Sequence, residues 1–206
     1  MKKDGVAGRP YAGVTQEAAR KSIHLMSAAV PVGLALGVTR NIVIVALATL
    51  FSIALVVEIA RRTSAAAASR FMRFFASLLR AHEAQSVTGA TWLLGAMLGA
   101  VAILPRDAAI AATWAVAIGD ASAALIGIRF GRHRDRESGK SLEGSAACAI
   151  TTTLGALLLA RLSLAESLML GVIAAVAERS TWPADDNARI VALVGASAWL
   201  WSVVLY

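Results

Sequence analysis

Residues 41–60 read NIVIVALATLFSIALVVEIA, and this stretch decides the fold class. Nineteen of the twenty are uncharged and most are Val, Ile, Leu or Ala; Glu58 stands near the end. At 1.5 Å per residue such a helix is about 30 Å long, the thickness of a bilayer's hydrocarbon core. Comparable runs lie on both sides of it. Over all 206 residues, 58% are hydrophobic and the mean hydropathy is +0.67, well above the roughly 45–50% apolar content of soluble domains. The chain therefore reads as an all-α, polytopic integral membrane protein of about seven transmembrane helices. The spans are expected at Thr15–Val38, Asn41–Ala60, Thr88–Leu104, Ala108–Ile128, Leu142–Ala160, Leu164–Glu178 and Ile190–Tyr206. They use up the chain, so one membrane-embedded domain covers residues 1–206. Residues 1–16 are polar and are expected to form a flexible cytoplasmic N-terminus.

Residues 61–82 differ from the spans. Phe71, Phe74, Phe75 and Leu78 recur at helical spacing opposite Arg70, Arg73 and Arg80, the pattern of an amphipathic helix lying in the headgroup layer. Glu58 is spaced to pair with Arg61 or Arg62.

The distribution of cations sets an expected orientation. If seven spans start inside, 17 of the 20 Lys and Arg residues fall on one side, and only Arg40, Arg106 and Arg161 fall on the other. The positive-inside rule then gives N-in, C-out. The expected location is a prokaryotic inner membrane, with the working face cytoplasmic. The net charge of +7 is accounted for by these loops, and the chain lacks the basic stacking motifs of a nucleic-acid binder.

The unusual polar residues gather on that cytoplasmic side. Residues 119–145 read GDASAALIGIRFGRHRDRESGKSLEGS. Here Asp120 sits inside an apolar helix, roughly 13 Å above a loop carrying Arg129, Arg132, Arg134, Arg136 and Lys140. Thr113, Ala117, Asp120, Ala124 and Gly127 would form a small-residue face for close helix approach. A carboxylate at that depth is costly unless it is paired or faces a polar cavity. Arg20, Lys21 and His24 share a helix face at the boundary, either as topogenic charges or as an anion-facing patch. Glu83, Thr88, Glu178, Asp185, Asp186 and Asn187 lie on the same side. A transporter should place polar residues at several depths and on both faces; a one-sided set fits an enzyme with one cytosolic and one membrane-resident reactant.

Asp120, Glu178, Asp185 or Asp186, and Asn187 offer hard oxygen ligands suited to Mg²⁺. The three His are scattered and the single Cys148 is apolar in context, so a zinc site is not expected. Gly139-Lys140-Ser141 imitates the end of a P-loop, but position 134 is Arg where that motif needs its first Gly, and no strand precedes it. No G-x-S-x-G elbow is present for a Ser hydrolase. A carboxylate-bound metal beside a cationic loop suits phosphoryl transfer, which needs positioning and charge neutralisation.

Several pieces together resemble the CTP-dependent lipid-alcohol kinases: dolichol, phytol and farnesol kinases and the CTP-type diacylglycerol kinase. They are Arg20-Lys21-x-x-His24; Glu83 with Thr88-Gly89-Ala90; Gly119-Asp120-Ala-x-Ala-x-x-x-Gly127-x-Arg129-x-Gly131; Lys140-Ser141-x-Glu143-Gly144-Ser145; and Glu178 with Asp185-Asp186-Asn187. The resemblance covers roughly Arg20 to Arg189, and the short chain sits nearest the phytol-kinase-like members. It implies CTP as phosphoryl donor, a CTP-binding loop (Arg129, Arg132, Arg134, Lys140, Ser141, Gly144), and Asp120 with the Asp-Asp-Asn segment near the metal and phosphates. It also implies a membrane lipid alcohol as acceptor: phytol, farnesol, a polyprenol or dolichol, or diacylglycerol. Asp120, Lys140, Glu143 and Glu178 are the expected catalytic set, and Arg20, Lys21, His24, Glu83 and Thr88 its rim. A cytidylyltransferase acting on a lipid phosphate is the competing enzyme. A small membrane transporter or scaffold is the competing non-enzyme.

Overall fold

The computed structural model describes residues 20–79, 83, 85–135, 138–181 and 185–205. The N-terminal segment 1–16, the helix start at Thr15, the roles expected of Arg80 and Arg136, and the span end at Tyr206 lie outside the described residues. Among those described, every regular element is a helix; an isolated antiparallel bridge joins Arg134 to Ser141.

The chain opens with α1 (20–27), a one-residue turn at Ala28 and α2 (Ala29–Ala35). Gly37, at φ +98°, then reverses the chain, a conformation open to Gly because it has no Cβ. Next come α3 (Arg40–Thr63) and α4 (Ala65–Phe75). They are separated by Ser64, whose extended backbone ends one helix and whose side chain caps the other by accepting from the Ala67 N–H. The first span was thus expected as one rod and is broken once. The interfacial helix was expected to start at residue 61, but α3 continues through Arg61 and Arg62, which bind Glu58 one turn earlier.

After a 3₁₀ turn (Ala76–Leu78), α5 (Gly89–Ile103) starts at Thr88, which caps the Thr91 N–H. A continuous rod follows: α6 (Arg106–Trp114), a π-helical turn (Ala115–Gly119) and α7 (Asp120–Phe130). The remaining helices are α8 (Leu142–Leu158), α9 (Leu164–Arg179) and α10 (Asp186–Leu205). The last begins four residues before the expected Ile190. Asp185 accepts the Asn187 N–H at 2.9 Å, so the acids cap the helix and do not precede it.

By length and composition α3, the α6–α7 rod and α10 are each long and apolar enough to cross a membrane. α5 and α8 are apolar but shorter. The outer face of α3 presents Ile42, Val45, Ile53, Val56 and Ile59 to the exterior, a largely apolar surface interrupted by Thr49, whose hydroxyl donates to the Val45 carbonyl, and it suits lipid better than water.

The α6–α7 rod is the hub, contacting α2, α5, α8 and α10. Its buried face is almost all Ala, with Ile110, Thr113 and Val116 as the larger members. Small side chains let helices approach closely, so that dispersion contacts replace a hydrophobic driving force that lipid does not supply. α8 and α9 pack along each other more extensively than any other pair. A Cβ on Gly171 would stand 2.6 Å from the Ala149 carbonyl oxygen, so that helix pair admits only Gly there.

Candidate functional site: a polar cavity at the end of the hub helix

The π turn ends at Asp120. One wide turn adds a residue to the rod and rotates all that follows by about a quarter-turn or more, and such turns recur at functional sites. Asp120 therefore does not continue the face begun by Thr113 and Ala117, as strict three- and four-residue spacing would have it. The carboxylate is 5% exposed. It forms an ion pair with Lys21 of α1, and His24 Nε2 stands 3.7 Å from the same oxygen, Oδ2.

A second carboxylate cluster faces it. Lys140 Nζ lies 3.4 Å from Glu178 Oε1 and 3.3 Å from Asp186 Oδ2, and it donates to the Glu178 backbone carbonyl. Glu178 also accepts from Ser145 Oγ at 3.2 Å, and Asp186 receives Arg189 at 2.7 Å. These groups surround one cavity of about 190 Å³. Lys21, Asp120, Arg134, Lys140, Glu178 and Asp186 all line it, with Gly127, Ser141 and Gly144 forming its close-packed floor. Residues drawn from α1, α7, the cationic loop, α9 and α10 thus meet at one place.

The cationic loop is folded back on itself. The Asp135 N–H donates to the Lys140 carbonyl at 2.8 Å, and Leu142 donates to His133 at 3.0 Å. Gly139 turns the chain at φ +69°. Arg134 spans the loop, donating to Gly127 O at 2.5 Å and Gly139 O at 3.1 Å. Ser141 caps α8 through the Gly144 N–H at 3.1 Å. With Gly144 opposite the Ala123 carbonyl, this brings the helix N-terminus, with its positive dipole end, against the cavity.

Some expected residues lie elsewhere. Arg129, Arg132, His133 and Glu143 line a separate, open cleft on the loop's outer side. Glu143 accepts from His133, with 2.8 Å to Nδ1, so it organises the loop. Asn187 is committed on both ends: Nδ2 donates to Gly89 O at 3.1 Å and Oδ1 meets His24 Nε2 at 3.0 Å. Asp185 caps α10. Glu83 Oε1 accepts the Gly89 N–H at 3.1 Å, and Thr88 N–H reaches Glu58 at 2.8 Å. These rim residues hold the start of α5 to the ends of α3 and α10. Arg20 lines a neighbouring apolar cavity beside His24.

Two buried cations were not anticipated as parts of the site. Arg189, 4% exposed, grips the Ala177 carbonyl at 2.8 Å as well as Asp186; its position three residues after Asp186 was the available signal. Arg61 serves Glu58, as helical spacing predicts, and also the Glu83 carbonyl at 3.1 Å and the Ser86 carbonyl, two loop contacts that no sequence spacing encodes.

Among the described residues, no group of three or more His, Cys, Asp or Glu side chains is arranged to hold a metal alone. Mg²⁺ rarely needs such a cage: it binds through one or two carboxylates plus substrate phosphates and water. Asp120 and Asp186 on the wall of one cavity fit that mode. The chain matches no protein-family model, no curated protein and no solved structure.

Proposed function

We propose that this chain is a CTP-dependent kinase that phosphorylates the hydroxyl of a membrane lipid alcohol. The observation that carries the reading is the meeting of Asp120, Glu178 and Asp186 with Lys21, Lys140 and Arg134 around one cavity. Acids alone would suit a cation and cations alone an anion; both together suit a metal-bound polyphosphate. In this reading the helices form seven membrane crossings, with α1–α2 and α6–α7 each crossing once, and the cationic loop lies at the cytoplasmic face. Arg40 and Arg106, which sit together beside Leu34, mark the opposite face.

Lys140 and Arg134 would hold phosphate oxygens, with the positive dipole end of α8 behind them. Asp120 and Asp186 would hold Mg²⁺, which when bound neutralises charge on the β- and γ-phosphates. The acceptor oxygen attacks the γ-phosphorus, forming a new P–O bond as the bond to the β–γ bridging oxygen breaks. CDP leaves with that electron pair, and the hydroxyl proton passes to a neighbouring carboxylate, for which Glu178 is the candidate. A cytidylyltransferase would instead join the α-phosphorus to a lipid phosphate and release pyrophosphate. The products separate the two: purified protein, CTP, Mg²⁺ and a lipid-alcohol panel should yield CDP and a lipid monophosphate. Pyrophosphate as the nucleotide-derived product would overturn the kinase reading.

A further inference from the structure

A second cavity, of about 240 Å³, lies between α1, α3, α4 and α5. Its apolar wall includes Ala54, Val57, Phe71, Phe75, Leu79 and Leu93. Polar groups break this wall, and among them His24 joins the two cavities: it lines this one and stands 3.7 Å from Asp120, which lines the other. Because Asn187 Nδ2 donates to Gly89, its Oδ1 is the atom facing His24, and Nε2 must carry a proton to meet it. The ring is thereby fixed at the boundary between an apolar chamber and a charged one.

We propose that this chamber is the acceptor site and that it takes a lipid alcohol with a single hydrocarbon chain, hydroxyl toward His24; this rests on the kinase reading above. The size sets the class. A dry cavity of about 150 Å³ accommodates one benzene ring, so 240 Å³ holds roughly ten carbons. That encloses the head-proximal part of one chain, whereas a glycerol backbone bearing two would have to leave its second chain outside the chamber. The remainder of the tail leaves past α4, whose described residues are all at least partly exposed and whose Phe74 is 73% exposed. Phe71 and Phe75, with ring centroids 5.1 Å apart, form the inner side of this wall. The Arg61 guanidinium lies over the Phe71 ring at 5.1 Å, tying the wall to the buried polar network. An amphipathic helix at the bilayer surface, apolar side inward, gives a lipid a lateral way in without crossing water.

The test uses the full-length protein in detergent–lipid micelles. A single-chain alcohol carrying a photoreactive diazirine near its hydroxyl should label residues of α3, α4 and α5 that line the chamber, and excess unlabelled single-chain alcohol should suppress this while diacylglycerol does not. Ala54→Phe, or Val57→Phe should the first fail to fold, should cut labelling and raise the acceptor KM about tenfold or more with CTP binding unchanged. Labelling confined to other surfaces, or equal competition by diacylglycerol, overturns the assignment. The kinase reading fails separately, if the same protein preparation, assayed before photolysis, transfers no phosphate from CTP to any alcohol.

Discussion

Lys21 and Asp120 form an ion pair buried between α1 and α7, although 99 residues separate them in the chain. Two charges at that depth are stable only as partners, since removing one strands the other in a medium that does not solvate it.

Asp120→Asn should abolish phosphoryl transfer and also lower thermal stability, because Lys21 loses its counter-charge; breaking such a pair costs about 3–5 kcal/mol. The double replacement Lys21→Met/Asp120→Leu removes both charges and should recover most of the melting temperature with no activity. Thermal denaturation in detergent, alongside product assays, separates the two roles. A single Asp120→Asn that keeps near-normal activity removes Asp120 from the reaction.

Lys140 lies 3.3 Å from Asp186, one of the two carboxylates that would hold Mg²⁺, and 3.4 Å from Glu178 beside it. Lys140→Met should therefore have opposite effects on two ligands. Nucleotide affinity falls about 10- to 100-fold with the loss of a charge-assisted contact worth roughly 1.5–3 kcal/mol. Metal binding without nucleotide tightens, because Glu178 loses its cation and Asp186 keeps only Arg189. Titration calorimetry with Mg²⁺ alone and with Mg²⁺–CTP reads both.

The floor of the polar cavity depends on a glycine. A Cβ on Gly144 would stand 2.6 Å from the Ala123 carbonyl oxygen, and backbone cannot yield as a side-chain tip can. Gly144→Ala should cost about 1–3 kcal/mol by overpacking and weaken CTP binding by pushing α8 from α7. Gly99→Ala is the matched control: nothing lies within 4 Å of its Cβ, so it should be neutral or slightly stabilising. Equal behaviour of the two variants in thermal melts would contradict the packing described.

Arg61 binds one carboxylate and two carbonyls at once, which a planar fork does and an ammonium cannot. Arg61→Met leaves Glu58 with only the more exposed Arg62 as counter-charge and should be destabilising. Arg61→Lys should retain the Glu58 pair but loosen residues 83–88. Hydrogen exchange of the Thr88 and Gly89 amides, which donate to Glu58 and Glu83, should rise sharply in the Lys variant.

Apolar runs made α3 plain from composition alone, and the pairing of Glu58 with Arg61 and Arg62 followed from helical spacing. The gathering of Asp120, Lys140, Glu178 and Asp186 could be expected as one side of a bundle, because loop charge fixes sidedness; which residues touch could not. The π turn at Ala115–Gly119 has no sequence signature. It arises where Gly119 packs so closely on α8 that a Cβ there would stand 2.6 Å from Thr152 Oγ1, a tertiary constraint. The start of α10 was read late because Asp185-Asp186-Asn187 has the composition of a loop and also that of a cap. Arg129, in the last turn of α7, and Arg132 are close in sequence to Arg134, yet the fold sends them to the outer cleft; a run of cations does not reveal which of them face inward.

The most direct measurement follows the fate of each CTP phosphate. With CTP labelled on the γ-phosphate, Mg²⁺ and a single-chain lipid alcohol, label should move to the organic phase as lipid monophosphate. With label on the α-phosphate it should remain in aqueous CDP, and Asp120→Asn should show neither change. Label passing to lipid from the α-position, or from neither position with folded protein, would contradict the account.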